Sequence, residues 1–347
     1  MRTTGSGRRA YIGSFTSAGG PGIVTAAVDP ETGALTPLHA TAEVADPSYL
    51  APTPDGRHLY AVSETSEGAA AAFALTERGP VLLGAPVPVR GAAPTHLTLW
   101  AGHLFTANYT SGSVSALCVR ADGTLAEPAA VLQHEGRGPN PDRQEGPHAH
   151  GVLPDPSGSR LLSVDLGTDS VRSCELDPAS GAPVVRQEVR LRPGSGPRHL
   201  AFHPRGSHAY VVNELSSTVT PCRWDATTGT LAPLTETAIL PPDAGENHPS
   251  ELVVSPDGRF AWAANRGHDS ISVLALDPSG ESLSLVTTVP CGGHWPRDLA
   301  LHPDGRHLYA ANERSGDVTW FSVDTTTGVP EAGGSLAVAA ASCVVFV

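Results

Sequence analysis

His148 and His150, one residue apart, close a loop of Gly, Pro and polar residues, and Arg198, Glu214 and Arg266 follow downstream. A carboxylate between two guanidiniums fixes their geometry and leaves N–H donors for an anion, or for negative charge growing on an oxygen. An imidazole titrates near neutral pH and can take a proton from water. Such a set suits addition of water to a carbonyl, or the reverse ring closure. Glu214 beside two arginines is a weak base, so His148 takes the base role and Glu214 orients the arginines, with His150 as the alternative histidine. All 22 basic residues are arginine, which excludes a lysine Schiff base. The loop over residues 136–147 is too long for a hairpin turn and carries Arg137, Asn140, Arg143 and Gln144, which can reach over a site. Asn140, Arg143, His150, Arg297, Glu64 and Glu313 complete the expected substrate-binding set. The competing reading is that these charges only staple neighbouring elements together.

These residues lie far apart in the chain, and a repeat brings them together. With a period near fifty, a Pro-x-x-Leu segment leads through a turn to a second apolar run. Pro47 to Val62, Pro197 to Glu214, Pro249 to Arg266 and Pro296 to Glu313 are full copies, and looser ones begin at Pro94 and Pro147. Asp-Gly pairs supply the positive-φ residue of a tight hairpin. A third, alternating strand follows each copy, starting at Ile23, Ala70, Val114, Val171, Val219, Ile271 and Val318, and ends near a glycine. Seven third strands but only six internal Pro-x-x-Leu segments leave one unmatched. The N-terminal Tyr11 to Phe15 matches only the second strand, and the C-terminal Ala341 to Phe346 only the first. The pattern predicts an all-β, seven-bladed β-propeller of four-stranded antiparallel blades, the ring closed by the C-terminal strand joining the N-terminal blade. It spans 9–347 as one domain after a disordered tail over 1–8. A pair of β-sandwiches or an open solenoid needs no split terminal strands.

First strands line the channel of a propeller, so equivalent positions read as rings. The residue after each proline is Ser48, Thr95, His148, Arg198, Ser250, Arg297 and, at the C-terminus, Ser342. The second strands end at Phe15, Glu64, Tyr109, Leu166, Glu214, Arg266 and Glu313. In this alignment His150 falls among leucines at a core position, a departure that asks for a reason.

The formal net charge of -13 argues against nucleic acid or an anionic membrane as partner. Cys118, Cys174, Cys222, Cys291 and Cys343 lack the spacing of a zinc site or disulfide framework. Cys174 and Cys222 read as small core residues, and His58, His208 and His307, beside turns, as solvated. The polar start and the short apolar run Leu336 to Val347 lead to an expectation of a soluble cytoplasmic protein.

From Tyr11 to Phe346 the chain resembles the seven-bladed lactonase family, of the 6-phosphogluconolactonase and 3-carboxymuconate cyclase type. The segments that carry the resemblance run from Gly138 to His150, Val164 to Asp169, Gly196 to Pro204, Val212 to Val219 and Asn265 to Ile271. The plain run Gly68 to Phe73 and the pair Thr53-Pro54 depart from the family pattern, away from the site. The resemblance implies a catalytic set of His148, Arg198, Glu214 and Arg266, with no metal or cofactor. It further implies hydrolysis of a sugar-derived lactone such as 6-phosphogluconolactone. The alternatives are a carboxymuconate-type cyclase or cycloisomerase, and a non-enzymatic ligand-binding propeller, which aromatics at only 5% disfavour. The expected partner is a small anionic lactone or acid, the expected state a monomer or weak homo-oligomer.

Overall fold

The computed structural model describes residues 9–178 and 180–347. The tail expected over 1–8 lies outside the described residues. Seven antiparallel sheets form a closed ring. From the axis outward, blade I is Ala341–Phe346, Arg9–Ser14, Ile23–Val28 and Leu35–Thr41. Blade II is Leu50–Pro52, His58–Ser63, Ala69–Thr76 and Gly79–Leu82. Blade III is Pro94–Trp100, His103–Asn108, Ser113–Val119 and Leu125–Gln133. Blade IV is Ala149–Pro154, Leu161–Asp165, Ser170–Leu176 and Pro183–Arg190. Blade V is Pro197–Phe202, His208–Asn213, Thr218–Asp225 and Thr230–Pro233. Blade VI is His248–Val254, Phe260–Arg266, Ser270–Leu276 and Leu283–Pro290. Blade VII is Pro296–Leu301, His307–Asn312, Asp317–Val323 and Pro330–Ala337. The closure runs as the split repeat requires: Ala10 pairs with Phe346, Tyr11 with Val345 and Ile12 with Val344. Among the described residues, no helix is long and apolar enough to cross a membrane.

The core lies between blades. Each of seven apolar clusters draws on two neighbours, as Phe105, Ala107 and Val114 of blade III do with Val152, Leu161 and Cys174 of blade IV. Cys174 and Cys222 are fully buried there, as their place among apolar residues predicts. A polar stitch repeats around the outside of these clusters. Tyr60, Tyr210 and Tyr309 donate their hydroxyls, and Trp262 its Nε1–H, to the carbonyls of Gly123, Gly280, Gly33 and Gly328 in the next blade. At Gly33 (φ 72) a Cβ would come within 2.6 Å of the His307 ring, so the turn needs glycine for its backbone and for the neighbour alike. This packing corrects the reading of His208 and His307 as solvated. Both are buried beneath the glycine turns of adjacent blades, Gly280 and Gly33.

The first strands carry a bulge at one fixed place. Pro94 pairs with Asn108 and His96 with Ala107, leaving Thr95 out of register. His150, Arg198, Arg297 and Ser342 are skipped in the same way in blades IV, V, VII and I. A bulge re-aims a side chain, and in these five blades it turns one residue toward the axis. Blade IV therefore reads two residues later than its proline suggests: Ala149, not Pro147, stands where the other blades begin. The core position belongs to the fully buried Val152. His150 is thus a member of the axial ring, and its apparent place among leucines is an alignment artefact of Pro147. His148 moves to the rim, one residue ahead of the strand, where its carbonyl accepts the Leu166 N–H.

Candidate functional site

The strand-end residues stand above the bulge ring at one mouth of the channel. Glu214 is the centre of one group. Its Oε1 accepts from Arg143 at 2.6 Å and its Oε2 from Arg266 at 2.7 Å. Arg198 Nε lies 3.4 Å from the same Oε2, within ion-pair range but without hydrogen-bond geometry, and remains an unpartnered buried donor. Arg198 also donates to the Ser250 carbonyl. Glu214, Arg198 and Arg266 are all buried. Burial alone would push the Glu214 carboxyl up; Arg266, Arg198 and Arg143 overcome it and hold the group down at about 2. Burial, with Arg266 close by, pushes the Arg198 guanidinium down to about 9, so it keeps its charge at neutral pH. One carboxylate thus faces three guanidiniums, and the surplus is cationic.

Arg143 comes from the inter-blade loop, which is clamped rather than loose. Gln144 is fully buried, and its Nε2 donates to the Leu166 carbonyl (2.8 Å) and to Asp169 Oδ1 (2.7 Å). Asp169 also accepts from the Gly194 and Gly196 N–H groups. Asn140 does not join the cluster. Its Oδ1 accepts from the Asp142 and Arg143 N–H groups, shaping the turn that presents Arg143.

Tyr109 joins this group to His148. Its hydroxyl is 3.3 Å from Arg143, and its ring stacks on His148 with centroids 4.5 Å apart. His148 Nδ1 lies 3.0 Å from the Tyr109 carbonyl oxygen, which can only accept, so Nδ1 carries the proton and Nε2 the basic lone pair. Nε2 faces Glu145 Oε1 at 3.2 Å, a contact that becomes a hydrogen bond once the ring takes a second proton. His150 presents an unpartnered buried Nδ1 to the axis; burial and then Arg198 hold it well below the usual histidine range, and it is neutral.

Behind His148 lies a buried group outside the set expected from the sequence. Asp165 is fully buried, and its Oδ1 accepts the His148 N–H at 2.9 Å. Its Oδ2 bonds His134 Nδ1 at 2.6 Å, with Arg172 3.7 Å away. Blades III, V, VI and VII carry Asn108, Asn213, Asn265 and Asn312 at this place, bonded to Ser or Thr hydroxyls. An Asp among asparagines, with Arg172 where those blades have Ser or Thr, is a signal legible in the repeat.

Arg297, Glu64 and Glu313 form a separate group on blades VII and II. Arg297 reaches Glu313 at 3.1 Å and Glu64 at 3.3 Å, and stands over the Phe15 ring at 4.8 Å. Ser48 donates to Glu64. Here two carboxylates face one guanidinium. One residue deeper, Tyr49, His96, His199, Glu251 and Asp298 form a belt across the axis. Glu251 bonds both His199 and Asp298. Burial pushes both carboxyls up, that of Asp298 with the charge of Glu251 added, and two bonded carboxyls share a proton.

The sequence pattern of the family described as lactonase, 7-bladed beta-propeller, matches residues 9–346. The chain belongs to this family. It is 33% identical over 323 residues to the 6-phosphogluconolactonase of Bacillus subtilis strain 168, covering 92% of each chain. Among solved structures, a Bacteroides fragilis protein superposes with a TM-score of 0.93 at 33% identity, covering 100% of this chain and 99% of that one. The periplasmic gluconolactonase PpgL of Pseudomonas aeruginosa gives 0.90 at 31% identity, with 98% of each chain covered. The lactones named for two of these relatives differ by a phosphate.

Proposed function

We propose that this lactonase-family member hydrolyses a sugar-derived lactone with an anionic group, of the 6-phosphogluconolactone kind. The observation that carries the reading is the cationic surplus around Glu214, with Arg198 buried and its Nε unpartnered. Attack on the ester carbonyl places negative charge on its oxygen, and a preorganised guanidinium in a dry site stabilises that charge at no reorganisation cost. Glu214 keeps the three arginines from repelling one another apart and stays ionised at every working pH. Being held so acidic, it is not the base. His148 takes the proton of the attacking water on Nε2, the nitrogen left basic by the Tyr109 carbonyl, and returns it to the leaving ring oxygen. Glu145 steadies the imidazolium in between. Asp165 fixes the backbone of His148 and acts as a positioning residue. Five unpaired cysteines support a reducing compartment, the cytoplasm, as its place of action.

The purified protein is to be assayed with 6-phosphogluconolactone, gluconolactone and a carboxymuconate. Turnover of the lactones and not of the muconate is expected. His148→Ala should lower kcat by about 10²–10⁴-fold while His150→Ala does so less. If His148→Ala and Glu214→Gln both leave hydrolysis intact, the site assignment fails.

A further inference from the structure

In five blades the rim residue ahead of the first strand lies at positive φ, and its carbonyl accepts an N–H from the end of the second strand. Four of the five are small: Asp46 (φ 45), Ala93 (φ 49), Gly196 (φ 60) and Ala340 (φ 52). In blade VII the same place holds Trp295 at φ 66. A bulky side chain in the left-handed region is strained, and such strain persists where the surroundings impose it and function retains it. Two bonds impose it here. Trp295 donates its N–H to Asp269 Oδ1 at 2.8 Å, and its carbonyl accepts the Glu313 N–H at 3.0 Å.

The ring held in this way is a bridge between cations. The Arg314 guanidinium lies 3.4 Å over its centre, and that of Arg266, already bound to Glu214, is 5.7 Å from it. His248 and His294 flank the same ring at 6.0 and 6.3 Å. The nearby carboxylates are already matched, Glu313 with Arg297 and Asp269 with His294. Arg314 is exposed and has no carboxylate within ion-pair distance among the described residues. A guanidinium seated on an aromatic ring keeps its in-plane donors free for two-point binding of an anion.

We propose that Trp295 and Arg314 form the subsite for the phosphate of a phosphorylated sugar lactone, with Arg266 of the ester-binding group 5.7 Å from the same ring. The assignment rests on the lactonase reading above and adds which residues read the substrate's far end. A hexonolactone carries its ester at one end and its primary hydroxyl at the other. With the carbonyl held among the arginines around Glu214, a phosphate on that hydroxyl is directed past Arg266 to the Trp295 ring and Arg314. The plate sets the distance between the two charges.

The test compares 6-phosphogluconolactone with gluconolactone in wild type, Arg314→Ala and Trp295→Gly, the residue blade V uses at this place. Arg314→Ala should lower the ratio of kcat/KM for the phosphorylated over the plain lactone about tenfold, chiefly through KM, as loss of one charge-assisted contact predicts. Trp295→Gly should lower the same ratio while keeping or raising Tm, since it relieves the strained backbone. Calorimetry with 6-phosphogluconate and gluconate reads the subsite without turnover: wild type should bind the phosphorylated acid at least tenfold more tightly, and Arg314→Ala should lose that margin. If wild type binds the two acids equally, or Arg314→Ala weakens both alike, the subsite is overturned and the lactonase reading stands. If neither lactone is turned over but the binding margin and its loss are seen, the subsite stands and the lactonase reading falls.

Discussion

The two sides of the channel mouth use the same residue types to opposite ends. On blades V and VI and the inter-blade loop, Arg143, Arg198 and Arg266 surround one carboxylate, Glu214. On blades VII and II, Glu64 and Glu313 surround one guanidinium, Arg297. A buried group whose charges are matched or anionic gains little by meeting an anion. A buried group with unspent positive charge gains a great deal, because few solvent dipoles compete. In the proposed reading, the sign of the surplus separates the side that recognises the substrate from the side that ties blades together. Arg198, Glu214 and Arg266 share their rings with Arg297, Glu64 and Glu313, and ring position alone does not give the sign of either surplus.

The largest effect expected from this contrast is on turnover. Arg198→Ala should lower kcat by about 10²–10³-fold, the cost of one preorganised oxyanion donor. Arg297→Ala should change kcat by less than about tenfold and act mainly on Tm. Equal losses in the two variants would erase the distinction.

A smaller effect is expected on acid stability. The folded pKa of Glu214 is held at about 2, below its ordinary value, so its contribution to stability is complete above about pH 4.5. It is lost as pH falls toward 2. Burial pushes Glu64 the other way and raises its folded pKa, Arg297 only partly opposing it. Stability linked to Glu64 is therefore greatest at low pH and declines as pH rises through the folded value. Thermal melts between pH 3 and 7 should show Glu214→Gln flattening the acid loss, and Glu64→Gln leaving it in place. The same slope in both variants would count against the contrast.

The smallest effect belongs to Glu313→Gln. Its side chain is 25% exposed, and Arg297 keeps Glu64 as a partner. A loss of about 1 kcal/mol or less is expected from denaturant unfolding, with turnover within about twofold. A loss of Arg198 size would give Glu313 a part in the chemistry.

The ring of blades was legible because a period, an alternation and a split terminal strand all point to one topology, and Tyr11 does pair with Val345. The convergence of Arg198, Glu214 and Arg266 followed from equivalent positions. Three things were hidden. A proline two residues early disguised the frame of blade IV, and only the bulge at His150 reveals which residue turns to the axis. The burial of His208 and His307 depends on the glycine turn of another blade, a long-range contact with no local signature. Arg143 was visible as a loop arginine, but its aim is set by Gln144 on Asp169, which no pattern of charges announces. Asp165 was readable in principle, since the repeat writes asparagine at four equivalent places.

The strand that shuts the ring is synthesised after every charged residue of the site. Until Ala341 to Phe346 meet Arg9 to Ser14, a growing chain holds the arginine cluster on an open arc, with an unpaired edge at the leading blade. Translation that stalls just short of this clasp yields a chain with all its chemical groups and no fixed circumference, a natural substrate for chaperones and proteases. Joining the two ends and reopening the chain between two other blades would move that moment of vulnerability without moving a single group at the mouth.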